Sequence, residues 1–222
     1  MKIAVIGTGK TGGAVLQLLG DNGVAYDSKK KPTAEDLKKL DAAIVFVPGE
    51  AAGALISPLL TAGIPAVWGT TGYVWPDDLD EKVKKAGTHW VIGTNFSLGM
   101  NLVRQAIEIL GRGAELLEQP KFSIHEVHHI HKKDAPSGTA LSWKEWLGRD
   151  AEITSERIGD VKGIHELLLE TPFESISVRH RAHDRKLFAE GALWTAEKLL
   201  DSPELEPGLY KFEAFFDQIF KP

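Results

Sequence analysis

The chain has 222 residues, of which 43% are hydrophobic and 26% are charged, with a net charge of −5 and no cysteine. This composition is typical of a globular protein long enough for one large or two small domains, and the lack of cysteine excludes disulfides and thiolate chemistry. The negative charge argues against nucleic-acid binding, no apolar run is long enough to span a membrane, and the N-terminus has no export-signal pattern, so we expect a soluble cytoplasmic protein.

Up to Asn95, short apolar segments alternate with helical patterns. Strands are predicted at Lys2–Ile6, Val24–Tyr26, Ala42–Val47, Ala66–Gly69 and His89–Gly93. Helices are predicted after the first strand, with the apolar residues Ala14, Val15, Leu18 and Leu19, and at Thr33–Leu40, Gly49–Thr61 and Pro76–Ala86. Thr33 and Asp36 have the spacing of a capping box. Strands that alternate with helices in this way predict a doubly wound parallel sheet.

The turn after the first strand has the glycine spacing of a dinucleotide-binding site. In Gly7-Thr8-Gly9-Lys10-Thr11-Gly12, the first glycine would make the tight turn, the second would let the backbone approach a pyrophosphate, and the third would let helix and strand pack closely. The alternative is a glycine-rich turn without a ligand. Asp27, which follows the second strand, strengthens the dinucleotide interpretation because the fingerprint includes a carboxylate for the ribose hydroxyls.

Two neighbouring features disagree about the cofactor. Asp27 favours NAD because it could accept hydrogen bonds from the adenosine ribose, whereas Lys29, Lys30 and Lys31 could neutralise a 2′-phosphate, which favours NADP. A solvated loop explains the three lysines equally well. Gly69-Thr70-Thr71-Gly72 follows the fourth strand, at the edge where ligands bind in open α/β sheets.

After Asn95 the pattern changes to a long helix and long strands. The predicted elements are helices at Met100–Leu110, Ser137–Leu147 and Arg185–Leu200, the last with Asp184 as a candidate cap, and strands at Phe122–Ile130, Ile164–Glu170 and Phe173–Ala182. This is an α+β arrangement. In the last strand Ile176, Val178, His180 and Ala182 share one face, which predicts that this face is covered. The aromatic C-terminal segment, from Tyr210 to Phe220, needs a core to pack against.

The segment Glu126–Ala140 combines titratable side chains with a turn suited to an anion. If His125–Lys132 is extended, His128, Ile130 and Lys132 lie on one side, and His129 and His131 lie on the other. One side would then carry both an imidazole and an ammonium group. Pro136 ends this strand, and Ser137-Gly138-Thr139 offers hydroxyl and backbone N–H groups at a helix start, where a carboxylate or phosphate binds well.

Three simpler explanations apply to the same segment. Its three histidines, with the preceding His125, could ligate a metal, but their spacing matches no common zinc motif. Lys132 and Lys133 could be a solvated pair, and Ser137 could be a helix cap. The density of these groups within fifteen residues favours a functional site, and we expect no metal in it.

The run from His128 to Ala140, H-H-x-x-K-x-D-A-P-S-G-T-A, resembles the signature of the 4-hydroxy-tetrahydrodipicolinate reductases of diaminopimelate and lysine biosynthesis. Other segments resemble that family's blocks in the same order: Gly7–Gly12, Gly69–Gly72, Asn95–Asn101, Arg157–His165 and Phe188–Ala192. The resemblance implies NAD(P)H-dependent reduction of 4-hydroxy-tetrahydrodipicolinate, a small dicarboxylate, to tetrahydrodipicolinate. Because the family uses both cofactors, we expect NADH and NADPH to be accepted.

The resemblance also implies a domain organisation. Residues 1–97 with the returning 186–222 would form a Rossmann-type dinucleotide-binding domain, and residues 98–185 an α+β domain for substrate binding and oligomerisation. Ile164–Glu170 and Phe173–Ala182 resemble the strands that assemble the family's tetramers. We therefore expect a homotetramer, or a dimer if this shortened chain has lost part of that surface.

Individual roles follow from the same resemblance. It implies that the catalytic pair is His128 and Lys132, and that the carboxylate ligands are His129, Ser137, Gly138 and Thr139. The implied cofactor site consists of Gly7, Gly9, Lys10, Thr11, Gly12, Asp27, Gly69, Thr70, Thr71, Asn95 and Phe96. Arg157, Asp160 and His165 match a further block, and we assign them structural or interface roles. Val45-Phe46-Val47 departs from the family's polar Asp-Phe-Thr.

Two other functions fit parts of the sequence. A different Rossmann oxidoreductase, such as an aldose or semialdehyde dehydrogenase, would share the nucleotide half but lack the cluster of His128, Lys132 and Ser137–Thr139. A catalytically silent nucleotide-binding regulatory protein would fit the short chain and Val45–Val47, but it would not need that intact cluster.

Overall fold

The structure, a computed structural model, describes residues 1–220. These residues form ten strands: β1 (Ile3–Ile6), β2 (Gly23–Tyr26), β3 (Ala42–Val45), β4 (Ala66–Trp68), β5 (His89–Ile92), β6 (Lys121–His128), β7 (Glu152–Arg157), β8 (Ile164–Glu170), β9 (Ser175–Arg181) and β10 (Gly208–Lys211). They also form eight α-helices: α1 (Lys10–Leu19), α2 (Ala34–Leu37), α3 (Gly49–Ala62), α4 (Leu79–Lys85), α5 (Leu98–Gly113), α6 (Gly138–Leu147), α7 (Lys186–Asp201) and α8 (Phe212–Ile219). The chain divides into two compact units, Met1–Leu98 with the segment from Arg185 onward, and Gly99–Asp184.

The first unit contains a six-stranded parallel sheet with the order β2-β1-β3-β4-β5-β10. The chain adds β2 on one side of β1 and then β3 on the other side, so a topological switch point lies between β1 and β3. Strand β10 was not predicted, since it has four residues and no clear pattern. The predicted Rossmann-type α/β architecture is confirmed.

Helices cover both faces of this sheet, which explains its continuously apolar strands. Ile3 packs in one layer with α1, α7 and α8, whereas Ile6 packs in the opposite layer with α2, α3 and α4. The C-terminal aromatic residues Phe212 and Phe215 belong to the first layer. The aromatic C-terminal segment therefore packs in a core of the first unit, as predicted.

Local details of the first unit differ from the sequence pattern. In α1, Leu18 is 48% exposed, so it does not belong to the buried face as predicted. The capping box of α2 is present, with the N–H of Asp36 donating to Oγ1 of Thr33 at 3.1 Å. This helix ends at Leu37 rather than Leu40, because the chain then turns into β3, where the N–H of Asp41 donates to the carbonyl oxygen of Lys2 at 2.8 Å.

The second unit contains a four-stranded mixed sheet with the order β7-β6-β8-β9. Strand β6 pairs in parallel with β7 and antiparallel with β8, and β8 pairs antiparallel with β9. Helices α5 and α6 cover one face, where Ile107 and Trp143 pack against Ile124 and Leu167. Val178 of β9 packs against the same core, which confirms the predicted coverage of one face.

One further strand was missed, and two predicted boundaries were wrong. Strand β7 was not predicted, because Ile153 is its single apolar residue. Strand β6 ends at His128 rather than Ile130, since the chain turns there and the N–H of Lys132 donates to the carbonyl oxygen of His129 at 3.1 Å. Helix α7 begins at Lys186, one residue later than predicted, so Arg185 and not Asp184 occupies its cap position. Among residues 1–220, no helix combines the length and the apolarity needed to cross a membrane.

Candidate active site

Four charged or titratable side chains converge on the covered face of the second sheet. Glu126 and His128 alternate along β6 with residues of the opposite face, so both point toward the helices. The antiparallel register places His165 of β8 opposite Glu126, and the parallel register places Arg157 of β7 beside His128. Strand pairing therefore assembles a cluster that no local sequence motif contains.

Glu126 is the centre of this cluster and is fully buried. Its Oε1 accepts hydrogen bonds from the backbone N–H of Ser137 at 2.9 Å and from Nη2 of Arg157 at 3.1 Å. Its Oε2 lies 3.0 Å from Nδ1 of His128 and 3.7 Å from Nε2 of His165. Burial alone would raise the pKa of Glu126, but the hydrogen bonds outweigh burial and lower the pKa to about 2. The carboxylate is therefore an anion at neutral pH.

The two ring nitrogens of His128 face different groups. Nδ1 faces Glu126, and Nε2 lies beside Gly163, where an added Cβ atom would be 3.2 Å away. Burial lowers the pKa of His128, Glu126 raises it, and the positive charge of Lys132 lowers it, with a net result below the usual value. The imidazole is therefore mainly neutral at neutral pH, and Glu126 is the group that favours its protonated form.

His165 is a second buried imidazole in the cluster. Its Nε2 lies 3.2 Å from Oγ of Ser137, and its ring centroid lies 4.9 Å from that of His128 and 5.6 Å from that of Trp143. Burial lowers the pKa of His165 to about 4, and the neighbouring His128 acts in the same direction. His165 is therefore a neutral partner packed against His128.

Lys132 lies on the turn after β6 rather than on the strand. Its Nζ is 2.9 Å from Oδ2 of Asp134, and this hydrogen bond lowers the pKa of the Asp134 carboxyl group. The positive charge of Lys132 lowers the pKa values of His128 and His165. The predicted strand face shared by His128 and Lys132 is therefore wrong, but the turn still keeps the ammonium group within electrostatic range of the imidazole.

The Ser137–Thr139 turn begins α6 beside Glu126. Oγ of the buried Ser137 accepts a hydrogen bond from the N–H of Ala140 at 3.2 Å, so this residue is a helix cap. Gly138 is exposed and Thr139 is partly exposed. Because the first N–H groups of a helix attract anions, Gly138 and Thr139 offer a site for a carboxylate while Ser137 supports the turn from within.

The other histidines of the motif lie outside the cluster. His129 is half-buried, and no described residue hydrogen-bonds to its Nδ1. Its ring centroid lies 6.2 Å from that of the exposed His131. His125 faces the opposite side of the sheet, where its Nδ1 lies 2.9 Å from Oγ1 of Thr154. These neighbouring histidines therefore do not form a common set of ligands.

Glu126, His128 and His165 place potential ligand atoms within 4.8 Å of one another, as a metal site would require. However, Glu126 already pairs with the guanidinium group of Arg157, and the charge of Lys132 acts on both imidazoles. These two positive groups would repel a divalent cation. The arrangement fits an ion-pair network, and we assign no metal to it.

The glycine turn of the first unit shows why each glycine is present. Gly7 has a φ of +94°, and an added Cβ atom would lie 2.2 Å from the carbonyl oxygen of Phe46. At Gly12 it would lie 1.8 Å from the carbonyl oxygen of Gly7, whereas at Gly9 no described atom lies within 4 Å of it. The fold therefore requires Gly7 and Gly12, while Gly9 leaves the N-terminus of α1 open beside Lys10 and Thr11.

Asp27 shapes the lysine-rich loop that follows β2. Its Oδ1 accepts hydrogen bonds from the N–H groups of Lys29 at 2.8 Å and Lys30 at 2.9 Å, and these bonds lower the pKa of its carboxyl group. Nζ of Lys30 lies 5.0 Å from the ring centroid of Tyr26. The carboxylate that would bind a ribose and the lysines that would bind a 2′-phosphate thus belong to one hydrogen-bonded turn.

Phe46 gives the edge after β3 and β4 an apolar lining. An added Cβ atom at Gly69 would lie 2.0 Å from the Phe46 ring, which meets the buried Phe96 edge-on at a centroid distance of 6.3 Å. The neighbouring predicted residues differ in exposure, with Thr70 buried, Asn95 half-buried and Thr71 exposed. The aromatic contact with Gly69 thus comes from Phe46, the residue that this segment shares with the family's Asp-Phe-Thr, and not from the two valines that depart from it.

The cluster includes residues that we did not predict to be functional. Glu126 shares the strand face of His128, so the period of two would have pointed to it. We expected structural or interface roles for Arg157 and His165, whereas both lie against Glu126. Nothing in the local sequence around either residue indicates that contact, because it depends on pairing between distant strands.

Comparison with known proteins shows similarity along the chain. Residues 99–216 match the family model described as dihydrodipicolinate reductase, C-terminus. The 4-hydroxy-tetrahydrodipicolinate reductase of Christiangramia forsetii is 30% identical over 244 residues, with 100% of this chain and 100% of the relative covered. The reductase of the same name from Thermosipho africanus is 39% identical over 126 residues, and there the match spans 57% of this chain and 55% of the relative.

A solved structure gives the same indication for the fold. Dipicolinate-bound dihydrodipicolinate reductase from Paenisporosarcina sp. TG-14 superposes with a TM-score of 0.75 at 18% sequence identity, and the match covers 95% of this chain and 97% of that chain. At this level of identity the match shows that the two chains share a fold.

Proposed function

We infer that this chain, which belongs to the 4-hydroxy-tetrahydrodipicolinate reductase family, catalyses the reaction for which that family is named. The substrate would be 4-hydroxy-tetrahydrodipicolinate and the product tetrahydrodipicolinate, in diaminopimelate and lysine biosynthesis. The reaction adds one hydride and one proton to the substrate and releases the hydroxyl group as water. The protein must therefore hold two carboxylates and move a proton.

The observation that carries this proposal is the buried pair of Glu126 and His128 with Lys132 close by. Lys132 supplies a positive charge for a substrate carboxylate, and the exposed start of α6 at Gly138 and Thr139 supplies a second anion site. His128 is the proton donor, since the Glu126 carboxylate lies 3.0 Å from its Nδ1 and its Nε2 is on the other side of the ring. His129 assists in substrate binding.

The first unit holds the cofactor at Gly7, Gly9, Lys10, Thr11 and Gly12. When bound, the reduced nicotinamide supplies the hydride. Gly69–Thr71, Asn95 and Phe96 would line the nicotinamide end, and the Asp27 turn would accept NADH or NADPH, because it offers both a carboxylate and lysines. Residues 1–97 and 186–222 thus form the cofactor domain, and residues 98–185 the substrate domain.

We also propose that the protein works in the cytoplasm as a homotetramer assembled through the uncovered faces of β8 and β9. Leu167 and Leu169 are buried in the unit itself, so of the three consecutive leucines Leu168 is the one available on that face. Val127 and Ile164 pair across β6 and β8 on the same face and extend the apolar surface. Because one leucine of the three is available, the apolar surface for assembly is smaller than the whole leucine run would provide.

One assay tests the activity. NADH and NADPH oxidation would be followed with freshly generated 4-hydroxy-tetrahydrodipicolinate as substrate, and turnover should depend on both substrates. Nucleotide binding without any turnover would instead support a catalytically silent regulatory protein. Turnover with an aldose or a semialdehyde, but not with the dicarboxylate, would support another oxidoreductase.

A further inference from the structure

We propose that Glu126 is the positioning residue of this site, which orients the proton donor His128 and holds the carboxylate-binding turn with the same carboxylate group. The inference rests on the proposed function, because it takes His128 as the proton donor. It adds a role for a residue that contacts neither the substrate nor the cofactor in that scheme.

The first argument is the direction of the imidazole ring. Oε2 of Glu126 lies 3.0 Å from Nδ1 of His128 without the geometry of a hydrogen bond, and neither atom has a hydrogen-bond partner among the described residues. The negative oxygen therefore acts on the ring through its charge and favours the tautomer that carries its proton on Nδ1. Nε2 then faces the backbone of Gly163, where the missing side chain leaves room beside the ring. In this arrangement Nε2 is the nitrogen that takes up and donates the catalytic proton.

The second argument concerns the other carboxylate oxygen. Oε1 accepts from the N–H of Ser137 and from Arg157, and Arg157 also donates to the carbonyl oxygen of Asp134. Asp134 pairs with Lys132. Glu126 is therefore connected on one side to the proton donor, and on the other side to the cation and the turn that would hold substrate carboxylates.

Of the two negative groups that act on His128, Glu126 has the larger effect on its pKa. Arg157 of β7 and Lys132 of the following turn oppose protonation of His128, whereas Asp134 of the same turn favours it. His165 of β8 is neutral and packs against the ring. Helix α6 contributes the uncharged cap Ser137. Removing the charge of Glu126 should therefore make His128 harder to protonate, so that a protonated donor is available only at lower pH.

The test compares Glu126→Gln with the unaltered chain and with Glu156→Gln. Glu156 is a matched control, because it also lies near a histidine, with Oε1 3.8 Å from Nε2 of His125, but is exposed on the opposite face. The pH profile of kcat/KM should show activity that falls as pH rises. In Glu126→Gln this fall should begin about one pH unit lower. At pH 8 its kcat should be about tenfold or more below that of the unaltered chain, whereas its KM for the cofactor should stay within about twofold. Glu156→Gln should match the unaltered chain.

A pH profile of Glu126→Gln that coincides with that of the unaltered chain would overturn the proposal. If Glu126→Gln does not fold, nitrogen-15 NMR of the histidine rings in the unaltered chain decides the matter. His128 should carry its proton on Nδ1, and a proton on Nε2 would overturn the proposal. The NMR measurement needs no turnover, so it also separates a failure of this inference from a failure of the proposed reaction.

Discussion

Glu126 and His165 face each other across the β6–β8 pair, with Oε2 of the first 3.7 Å from Nε2 of the second. Their pKa values are about 2 and about 4, so the folded protein holds a charged glutamate against a neutral histidine. In an unfolded chain the corresponding values are about 4.3 and about 6.5. The unfolded state therefore binds more protons in acid than the folded state does, and acid must destabilise the fold.

Part of this pH dependence of stability should disappear in His165→Gln. In the unaltered chain His165 lowers the free energy of unfolding as pH falls from about 6.5 to about 4, and Glu126 does so from about 4.3 to about 2. Between pH 7 and pH 5, the free energy of unfolding of His165→Gln, measured by urea unfolding, should therefore fall by roughly 1–2 kcal/mol less than that of the unaltered chain. His131→Gln, at an exposed position, should behave like the unaltered chain. Equal losses in His165→Gln and the unaltered chain would contradict the assignment.

Catalysis should depend on His128 and Lys132. Replacement of either by Ala should lower turnover by about 10²-fold or more, because a positioned proton donor or cation is lost. Affinity for the cofactor should stay unchanged. Lys133→Ala removes an exposed cation from the same turn and should have little effect. Near-normal turnover and substrate affinity in His128→Ala or Lys132→Ala would refute the proposed site.

The glycine turn offers a pair of variants with opposite expectations. Gly12→Ala places a Cβ atom 1.8 Å from a backbone oxygen, so it should destabilise the first unit by about 1–3 kcal/mol or more in thermal or urea unfolding. Gly9→Ala meets no described atom within 4 Å and should leave stability unchanged. It should nevertheless weaken cofactor binding, measured by titration calorimetry, because the added methyl group occupies the open side of the turn. Unchanged affinity in Gly9→Ala would place the cofactor elsewhere.

Use of the two cofactors should be balanced. Asp27 holds the N–H groups of Lys29 and Lys30, so the carboxylate and the backbone that carries these lysines belong to one turn. The specificity constants for NADH and NADPH should lie within roughly tenfold, a difference of about 1.4 kcal/mol. A preference above about a thousandfold in either direction would show that one of these features is not in the site.

Assembly should depend on Leu168. Light scattering at micromolar concentration should show a homotetramer, and Leu168→Glu should shift it to smaller species, because it puts a charge on the uncovered face of β8. Leu116→Glu changes a leucine that is 88% exposed outside the sheet and should leave the assembly intact. A strictly monomeric and fully active unaltered protein would rule out the proposed interface.

Most of the fold, but only part of the site, could be predicted from sequence. Continuous apolar strands alternating with helices indicate a parallel sheet, whereas β7 and β10 lack such a pattern and are stabilised by their neighbours. The turn of Ser137 and the imidazole of His128 belong to a local motif. The contacts of Arg157 and His165 with Glu126 arise from strand register, which depends on packing across the whole sheet and is not encoded in any short segment.

Helix α6 connects β6 to its parallel neighbour β7, so Glu126, Ser137 and Arg157 come from the start, the turn and the end of one continuous strand–helix–strand segment. A site built in this way is a single cooperative unit. When α6 detaches from the sheet, the N–H of Ser137 leaves Glu126, and a buried anion loses part of its hydrogen bonding. Local opening of this helix therefore dismantles the site all at once, and hydrogen exchange of the α6 amides sets an upper limit on the fraction of molecules that this opening inactivates at any moment.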